Sequence, residues 1–244
     1  MIDKEFLVRN KEKIKLMSKD IVLKKLTRQW FDSAFKHEYS YHFTWLGRPV
    51  IQFPQDLIGL QEIIWNIKPD LIIEMGIAHG GSIIFSASIL ELIGKGDVLA
   101  VDVDIRKHNK TEIEKHPLFK RITMIEGSSI EKNTTKKVFE FAKDKKKIML
   151  LLDSNHTHKH VSKELELYSP LVTKGSYVIV YDTMVEDMPK GFFKNRPWDK
   201  GNNPKTAVLE FLKKNNRFKI DKTFENKLLI TSSPDGYLKC MKNH

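Results

Sequence analysis

Short apolar runs alternate with helix-like segments along most of this chain. The runs are wholly apolar or end on an acid, which is typical of strands buried in a parallel sheet. They lie at residues 70–74, 98–104, 122–126, 147–153 and 175–182. Between them, apolar spacing predicts helices at 56–67, 83–90, 131–142 and 160–167. The alternation predicts an α/β fold with a doubly wound, mostly parallel sheet.

The two ends of the chain depart from this alternation. Residues 1–40 predict basic helical segments, and residues 41–54 predict an aromatic loop interrupted by Gly and Pro. We expect a helical cap with a pocket loop over 1–55, followed by the main domain over 56–244. Near the end of the sequence, 218–220 and 228–231 predict strands that close the sheet, with an antiparallel member.

The composition adds a size and a compartment. A chain of 244 residues with 41% hydrophobic and 30% charged residues can bury a substantial core. Its one cysteine, Cys240, cannot form an internal disulfide, so we expect a reducing, cytoplasmic location. No stretch has the ~20 apolar residues of a transmembrane helix, and the N-terminus has no signal-like apolar run. We therefore expect no membrane span.

The net charge of +11 is compatible with nucleic acid, an anionic membrane face or a phosphorylated substrate. Much of this charge is lysine within helical patterns. No basic segment alternates with aromatic residues, as single-strand binders require. We expect solvated lysine faces and no nucleic-acid partner, while peripheral membrane contact stays open. The helical N-terminus predicts a homo-oligomer.

A turn of small residues joins the first predicted strand to the first buried helix. Glu74, Gly76 and Gly80 resemble the E/D-x-G-x-G-x-G turn of class I S-adenosylmethionine (SAM) methyltransferases, with Ala78 at the middle glycine. Such a turn lets backbone N–H groups and a helix N-terminus approach a ligand. The spacing departs from dinucleotide and P-loop motifs. The alternative is a tight connection that binds nothing.

A second feature agrees with nucleotide binding. Asp102 ends the second predicted strand about 20 residues beyond the turn, where nucleotide folds place a carboxylate on a ribose. A carboxylate suits this position because it accepts hydrogen bonds from both hydroxyls of a diol. Asp104 is the alternative if the strand ends later.

Acids also end the fourth and fifth predicted strands. Asp153 and Asp182 should meet at the edge of the sheet, because parallel strands end there together. Two carboxylates with water suit Mg²⁺. His156 follows Asp153 by three residues, and an imidazole pKa near 6.5 suits a general base. The alternative is that Asp153 and His156 form a helix N-cap arrangement, with Asp182 in a turn.

Longer motifs point to a family. The segments 153–158, 164–166, 170–177, 182–183, 196–198 and 201–204 resemble the cephalosporin hydroxylase/rhamnosyl O-methyltransferase family, and the resemblance runs from about Thr44 to Tyr237. It implies a class I SAM-dependent methyltransferase domain over 56–244. It also implies a seven-stranded Rossmann-like sheet with an antiparallel edge strand. The implied cofactors are SAM and Mg²⁺.

Carried over residue by residue, the resemblance implies a cofactor site and a metal site. SAM would lie beside Glu74, Gly76, Ala78, His79, Gly80, Ser82, Asp102 and Asp153, with Ser128 near the adenine. Asp153 and Asp182 would hold the metal, and His156 stands where catechol methyltransferases place a lysine base. Tyr181 stands where a relative carries an acid. Glu186 or Asp187 is the expected replacement.

The resemblance implies methylation of a sugar hydroxyl on a surface polysaccharide, a glycolipid or a nucleotide-linked precursor. Candidate pocket walls are Trp45, Gln52, Phe53 and Trp198, each with core or loop packing as its alternative. Two other functions stay open: an RNA or other small-molecule methyltransferase, and a SAM-binding module without catalysis. An oxygenase would need two histidines and a carboxylate on a different scaffold.

Overall fold

The computed structural model describes residues 3–243. The first part of the chain forms two helices, a small hairpin and a third helix. These elements are α1 (Lys4–Met17), α2 (Ile21–Phe35), β1 (Phe43–Trp45), β2 (Arg48–Val50) and α3 (Pro54–Ile67). Helices α1 and α2 begin at aspartate N-caps, Asp3 and Asp20, whose side chains accept backbone N–H groups of the first turn. Proline stands at the start of α3, where its missing N–H costs nothing.

Strands and helices then alternate up to the fifth parallel strand. These elements are β3 (Leu71–Met75), α4 (Gly81–Ile93), β4 (Asp97–Asp102), α5 (Lys107–Glu114), β5 (Ile122–Glu126), α6 (Lys132–Ala142), β6 (Ile148–Leu152), α7 (His158–Tyr168) and β7 (Tyr177–Val180). The last part of the described chain contains α8 (Pro204–Lys214), β8 (Phe218–Ile220), α9 (Lys222–Leu228) and β9 (Tyr237–Cys240). This alternation confirms the predicted α/β class.

The main sheet has seven strands in the order β5-β4-β3-β6-β7-β9-β8. The five strands from β5 to β7 are parallel, and β9 runs antiparallel to both of its neighbours. The antiparallel strand therefore lies one position in from the edge. From β3 the chain runs outward to β4 and β5, and then crosses back to β6 on the other side of β3. The switch point therefore lies between β3 and β6. Open α/β sheets bind ligands at the carboxyl ends of the strands beside such a switch point.

The core consists of two apolar layers, one on each face of the sheet. Alternate residues of β3 divide between them: Ile72 joins the layer under α3 and α4, and Leu71 and Ile73 join the layer under α6 and α7. All five residues of β3 and of β6 are buried. Burial on both faces explains why these strands have continuous rather than alternating apolar sequences.

The strand predicted at 228–231 is wrong. Helix α9, capped by Asp221, which accepts the backbone N–H of Phe224, ends at Leu228, and residues 229–231 are irregular. Leu229 then adopts a positive φ of 60°, and the hydroxyl of Thr231 donates to Asp56 at 2.5 Å. The segment turns back toward α3, and β9 closes the sheet instead.

A buried carboxylate ties α3 to this last part of the fold. Asp56 accepts hydrogen bonds from Thr231, Ser232 and the hydroxyl of Tyr237, the last at 2.7 Å. Burial raises the pKa of Asp56 above its ordinary value, against the effect of these donors. Because every donor lies more than 170 residues away along the chain, the cluster fixes the start of the main domain against its final strand.

The N-terminal helices lie outside the sheet. Helix α1 packs beside α9, and α2 packs through Phe31 and Phe35 on an aromatic cluster that includes Phe53 and Phe193. The division into a cap over 1–55 and a main domain over 56–244 stays a prediction. No helix in the described part of the chain combines the length and hydropathy needed to cross a bilayer.

Candidate active site

A cavity of about 930 Å³ lies at the carboxyl ends of the parallel strands. The strand-end turns supply its floor, and α2, the following turn and residues 193–198 supply an outer wall. Five of the residues predicted for the cofactor line it: Gly76, Ala78, Asp102, Ser128 and Asp153. His156 and Asp182 line the same cavity. The structure thus brings together the predicted cofactor, base and metal positions.

At the first position of the glycine turn after β3, only glycine fits the backbone. Gly76 has a φ of +104°, and a Cβ there would lie 2.1 Å from the carbonyl oxygen of Asp153. Ala78 also has a positive φ, of 45°. The Asp102 carboxylate accepts the backbone N–H of Ile77 at 2.8 Å and that of Ala78 at 3.4 Å. Asp102 therefore holds the turn while it faces the cavity.

Four predicted cofactor residues do not line this cavity. Glu74 is buried beneath the turn and accepts a short hydrogen bond from the Ser82 hydroxyl. The carbonyl of His79 accepts two hydrogen bonds from Arg48, and Gly80 packs against Ile113. These residues support the turn from below and from the side. Arg48 also donates to Asn109, which itself donates to the carbonyl of Ala78 at 3.0 Å.

We expect Glu74→Gln to reduce the pH dependence of stability in the metal-free protein. Burial raises the pKa of Glu74 to about 7 from 4.5, so the folded state holds a proton that the unfolded state has released. Wild-type stability should therefore fall as pH rises from 4.5 to about 7 and level off above. From pH 5 to pH 8 the free energy of unfolding of wild type should fall by roughly 2 kcal/mol more than that of the variant. Equal pH slopes in denaturant melts of the two proteins would contradict this.

The second group of polar residues is an acid and histidine cluster. Ligand atoms of Asp153, His156 and Asp182 all lie within 4.8 Å of one another, and His156 Nε2 is 3.3 Å from Asp182 Oδ2. Burial raises the pKa of Asp153 well above its usual value, and the negative charges of Asp182 and Glu74 raise it further. Within residues 3–243 no lysine or arginine forms an ion pair with either aspartate. Uncompensated neighbouring carboxylates of this kind favour a bound cation.

The expected replacements for the missing third acid, Glu186 and Asp187, do not line the cavity. Glu186 accepts the backbone N–H of Gly201 at 2.7 Å and the amide of Asn203 at 2.5 Å. Asp187 pairs with Lys205, also outside the cavity. Asp182 has a positive φ and begins a short 3-10 helix at 183–187, which turns the following side chains toward α8.

Tyr181 does not supply a ligand on the cavity side either. Its side chain is 4% exposed and packs in the core layer that contains Tyr177 and Ile179. Burial raises its pKa well above the usual value for a phenol, with further effects from the charges of Glu74 and Asp153. The described site therefore contains two carboxylates and an imidazole.

Three of the four residues predicted for the pocket wall line the cavity. Gln52, Phe53 and Trp198 line the cavity, and Gln52 donates to Asp153 at 3.2 Å. Trp45 does not line it: its indole donates to Ser88 and its ring packs against Phe85 with centroids 4.7 Å apart. The hairpin β1-β2 turns this side chain onto α4, so Trp45 has the packing role that was its alternative.

Trp198 and its neighbours give the cavity an aromatic and cationic wall. The Trp198 ring meets His156 edge to face at 4.7 Å, and the Arg196 guanidinium lies 5.3 Å from the ring centroid.

Sequence reasoning missed Tyr41 and Arg106 as individual cavity residues. Tyr41 lies in the aromatic loop that the sequence placed over a pocket. No sequence pattern marked Arg106.

A polar network beside Ser128 was also missed. The buried carboxylate of Glu164 accepts the hydroxyls of Ser129 at 2.6 Å and Ser154 at 2.7 Å. His160 Nε2 lies 3.0 Å from the Ser129 hydroxyl and 3.2 Å from Glu164. The network joins the turns after β5 and β6. The spacing of four between His160 and Glu164 places both on one face of α7.

Comparison with known proteins gives relatives along most of the chain. A family model described as rhamnosyl O-methyltransferase/CmcI matches residues 37–241. A rhamnosyl O-methyltransferase of Mycobacterium tuberculosis is 30% identical over 200 residues, covering 80% of this chain and 77% of that protein. One from Mycobacterium leprae is 31% identical over 148 residues, covering 60% of this chain and 62% of that protein.

Solved structures show the same fold. CmcI with Mg and SAM has a TM-score of 0.58 at 17% identity, with 82% of this chain and 77% of that chain covered. The O-methyltransferase from Bacillus cereus in complex with SAH has a TM-score of 0.51 at 14% identity, with 82% of each chain covered. At such identities the likeness establishes the fold alone.

The Rossmann-like sheet, the glycine turn and the strand-end acids define the class of this protein, a SAM-dependent O-methyltransferase. Within that class, the chain belongs to the rhamnosyl O-methyltransferase/CmcI family, whose model matches most of its length. This confirms the resemblance that the motifs around Asp153 and Trp198 indicated.

Proposed function

We propose that this enzyme transfers the SAM methyl group to a sugar hydroxyl with the help of a divalent cation. The carboxylate oxygens of the site favour Mg²⁺ as that cation. The observation that carries the proposal is the position of the acid and histidine cluster, which shares one cavity with the glycine turn and Asp102. That arrangement lets a methyl donor at the turn lie next to an acceptor at the cluster. Positioning of this kind supplies a large part of the rate in bimolecular transfers.

SAM would bind along the carboxyl ends of β3, β4 and β5. The turn at Gly76 and Ala78 would take the amino acid end of SAM, the carboxylate of Asp102 the ribose, and Ser128 the adenine end. Gly76 supports this assignment because it lines the cavity and, without a Cβ, lets the turn approach the backbone of Asp153 closely. Glu74 and Ser82 would act from beneath, by fixing the turn.

The metal would bind between Asp153 and Asp182. Two carboxylates without a basic partner fit a hard cation, which would supply charge that favours the deprotonated form of an acceptor hydroxyl. Gln52 orients Asp153 by donating to its Oδ2. We do not assign Glu186 as a ligand, because it lies outside the cavity and hydrogen-bonds to Gly201 and Asn203.

His156 would accept the acceptor's proton. Its Nε2 faces Asp182 at 3.3 Å, and Trp198 packs against the ring, so the imidazole is held in place at the cavity wall. A neutral imidazole can take a proton from a hydroxyl as the methyl group is transferred. The sulfonium methyl would then meet an oxygen that carries more negative charge.

The acceptor would be a sugar of a surface polysaccharide, a glycolipid or a nucleotide-linked precursor, because the Mycobacterium relatives are rhamnosyl O-methyltransferases. The ring of Trp198 and the side chains of Phe53 and Gln52 offer an aromatic and polar wall for a sugar face. We place the enzyme in a reducing cytoplasm, in keeping with the free, buried thiol of Cys240.

Replacing His156 by Ala should lower kcat by about a hundredfold or more, because the general base is lost. SAM affinity should stay within about twofold, since the imidazole lies on the acceptor side of the cavity. The control is His158→Gln, which changes a histidine on α7 that bonds Thr206 and Glu210 outside the cavity. Wild-type turnover in His156→Ala from pH 6 to 8 would assign the base elsewhere.

Calorimetric titration with SAM and S-adenosylhomocysteine, with and without Mg²⁺, tests the proposal as a whole. We expect micromolar binding, about −8 kcal/mol, and a large loss in Asp102→Ala. Methyl transfer to nucleotide sugars and glycans is then measured directly. Binding of SAM with no transfer to any acceptor would favour a binding module, and transfer to RNA would favour a nucleic-acid methyltransferase.

A further inference from the structure

The second N-terminal helix has apolar residues on two of its faces. Its inner face packs on the cavity wall through Phe31 and Phe35. On the outside, Val22 and Leu26 lie four residues apart and form one stripe, with exposed fractions of 69% and 57%. Trp30 continues this line, but its ring packs edge-on against Tyr39, with centroids 5.2 Å apart. A helix whose outer face meets only water normally carries polar residues there. The stripe therefore indicates a partner for the outer face of α2.

The segment that contains this stripe is strongly positive. Residues 4–35 contain nine Lys or Arg and four Asp or Glu. None of the seven lysines among them forms an ion pair within residues 3–243, and Lys25 lies exposed beside the stripe, next to Leu26. Exposed apolar side chains with unpaired lysines beside them are the composition of helices that lie in the interface of an anionic bilayer.

We propose that the outer face of α2, within this basic N-terminal segment, binds the surface of an anionic lipid bilayer. The apolar stripe would enter the interface between headgroups and acyl chains, while the lysines contact lipid phosphates. A second copy of this chain fits less well, because two such surfaces would repel each other. Nucleic acid would leave the apolar stripe without a role.

The position of α2 gives this contact a consequence for catalysis. Phe35, at the end of α2, lines the cavity, and so do Glu38, Ser40 and Tyr41 in the turn that follows. Docking of α2 would bring this wall of the cavity to the lipid surface. If the proposed function holds, the enzyme would meet an acceptor sugar that is attached to a lipid, rather than a free one.

Sedimentation with vesicles tests the contact without any need for activity. The full chain is mixed with vesicles of phosphatidylcholine alone or of phosphatidylcholine and phosphatidylglycerol in equal parts. Wild type should pellet only with the anionic vesicles and be released by high salt. The double variant Val22→Glu with Leu26→Glu should bind about tenfold more weakly or worse. The matched control is Leu92→Glu, an equally exposed leucine on α4, which should bind as wild type does.

The proposal is overturned if wild type ignores anionic vesicles, if the double variant binds as tightly as wild type, or if neutral vesicles work equally well. It is also overturned if the double variant turns a wild-type dimer into a monomer in size exclusion, since the stripe would then pair two copies. The SAM titration separates this inference from the proposed function, because SAM should bind to the double variant with wild-type affinity.

Discussion

Asp153→Asn is expected to lower methyl transfer by about a thousandfold, while the metal-free protein becomes more stable above neutral pH. Activity falls because one of the two carboxylates that would hold the cation is lost. Stability rises because the ionised Asp153 is disfavoured in the fold: burial and the charges of Asp182 and Glu74 raise its pKa. That penalty is present at a pH above the raised pKa and disappears in acid, where the carboxyl is protonated.

The measurement combines turnover against Mg²⁺ concentration with thermal melts in chelator at pH 5 and pH 8. Asp182→Asn should show the same loss of turnover. Glu186→Gln is the matched control, because this acid caps the loop at Gly201 and Asn203 and should leave the metal dependence unchanged. Full activity of Asp153→Asn in chelator would remove the metal from the mechanism.

Gly76→Ala should be among the most damaging single substitutions in the chain. The added Cβ would lie 2.1 Å from the carbonyl oxygen and 2.7 Å from the carbonyl carbon of Asp153. Both atoms belong to the backbone, so neither can rotate away. The positive φ of 104° adds strain of its own. We expect a loss of about 4 kcal/mol or more of unfolding free energy and no detectable SAM binding.

The control is Gly94→Ala, at the end of α4. Gly94 also has a positive φ, of 84°, but a Cβ there would meet nothing within 4 Å. This variant should lose only about 1 kcal/mol, because it pays for the backbone conformation without a clash. Urea melts of both variants, with SAM titration of each folded protein, measure the difference. Equal losses would show that conformation rather than contact decides the cost at Gly76.

The sequence predicted the sheet well because its strands carry their own signal. Strands β3 and β6 are apolar throughout, and the acids at 74, 102, 153 and 182 mark the ends of strands or the turns beyond them. Parallel strands bring those ends to one edge whatever the details of packing. For that reason the meeting of Asp102, Asp153 and Asp182 in one cavity followed from their order along the chain.

Irregular segments defeated the same reasoning. The directions of Trp45 and Glu186 depend on a three-residue strand and a short 3-10 helix, where a rotation of one residue reverses the side chain. The residues at 228–231 have strand-forming side chains, but hydrogen bonds to Asp56 from across the fold decide their path. Glu164 reaches Ser129 and Ser154 on two other turns, and no local pattern encodes such contacts.

The place of β9 affects how the protein is made. This strand lies between β7 and β8, although it is later in the sequence than both. While the ribosome is still adding residues beyond 220, one side of β7 has no partner, and its backbone groups are open to any other extended chain. The nascent protein therefore depends on the synthesis of Tyr237–Cys240 to seal an inner strand of its sheet. Pauses before residue 237 prolong the period in which newly made copies can aggregate.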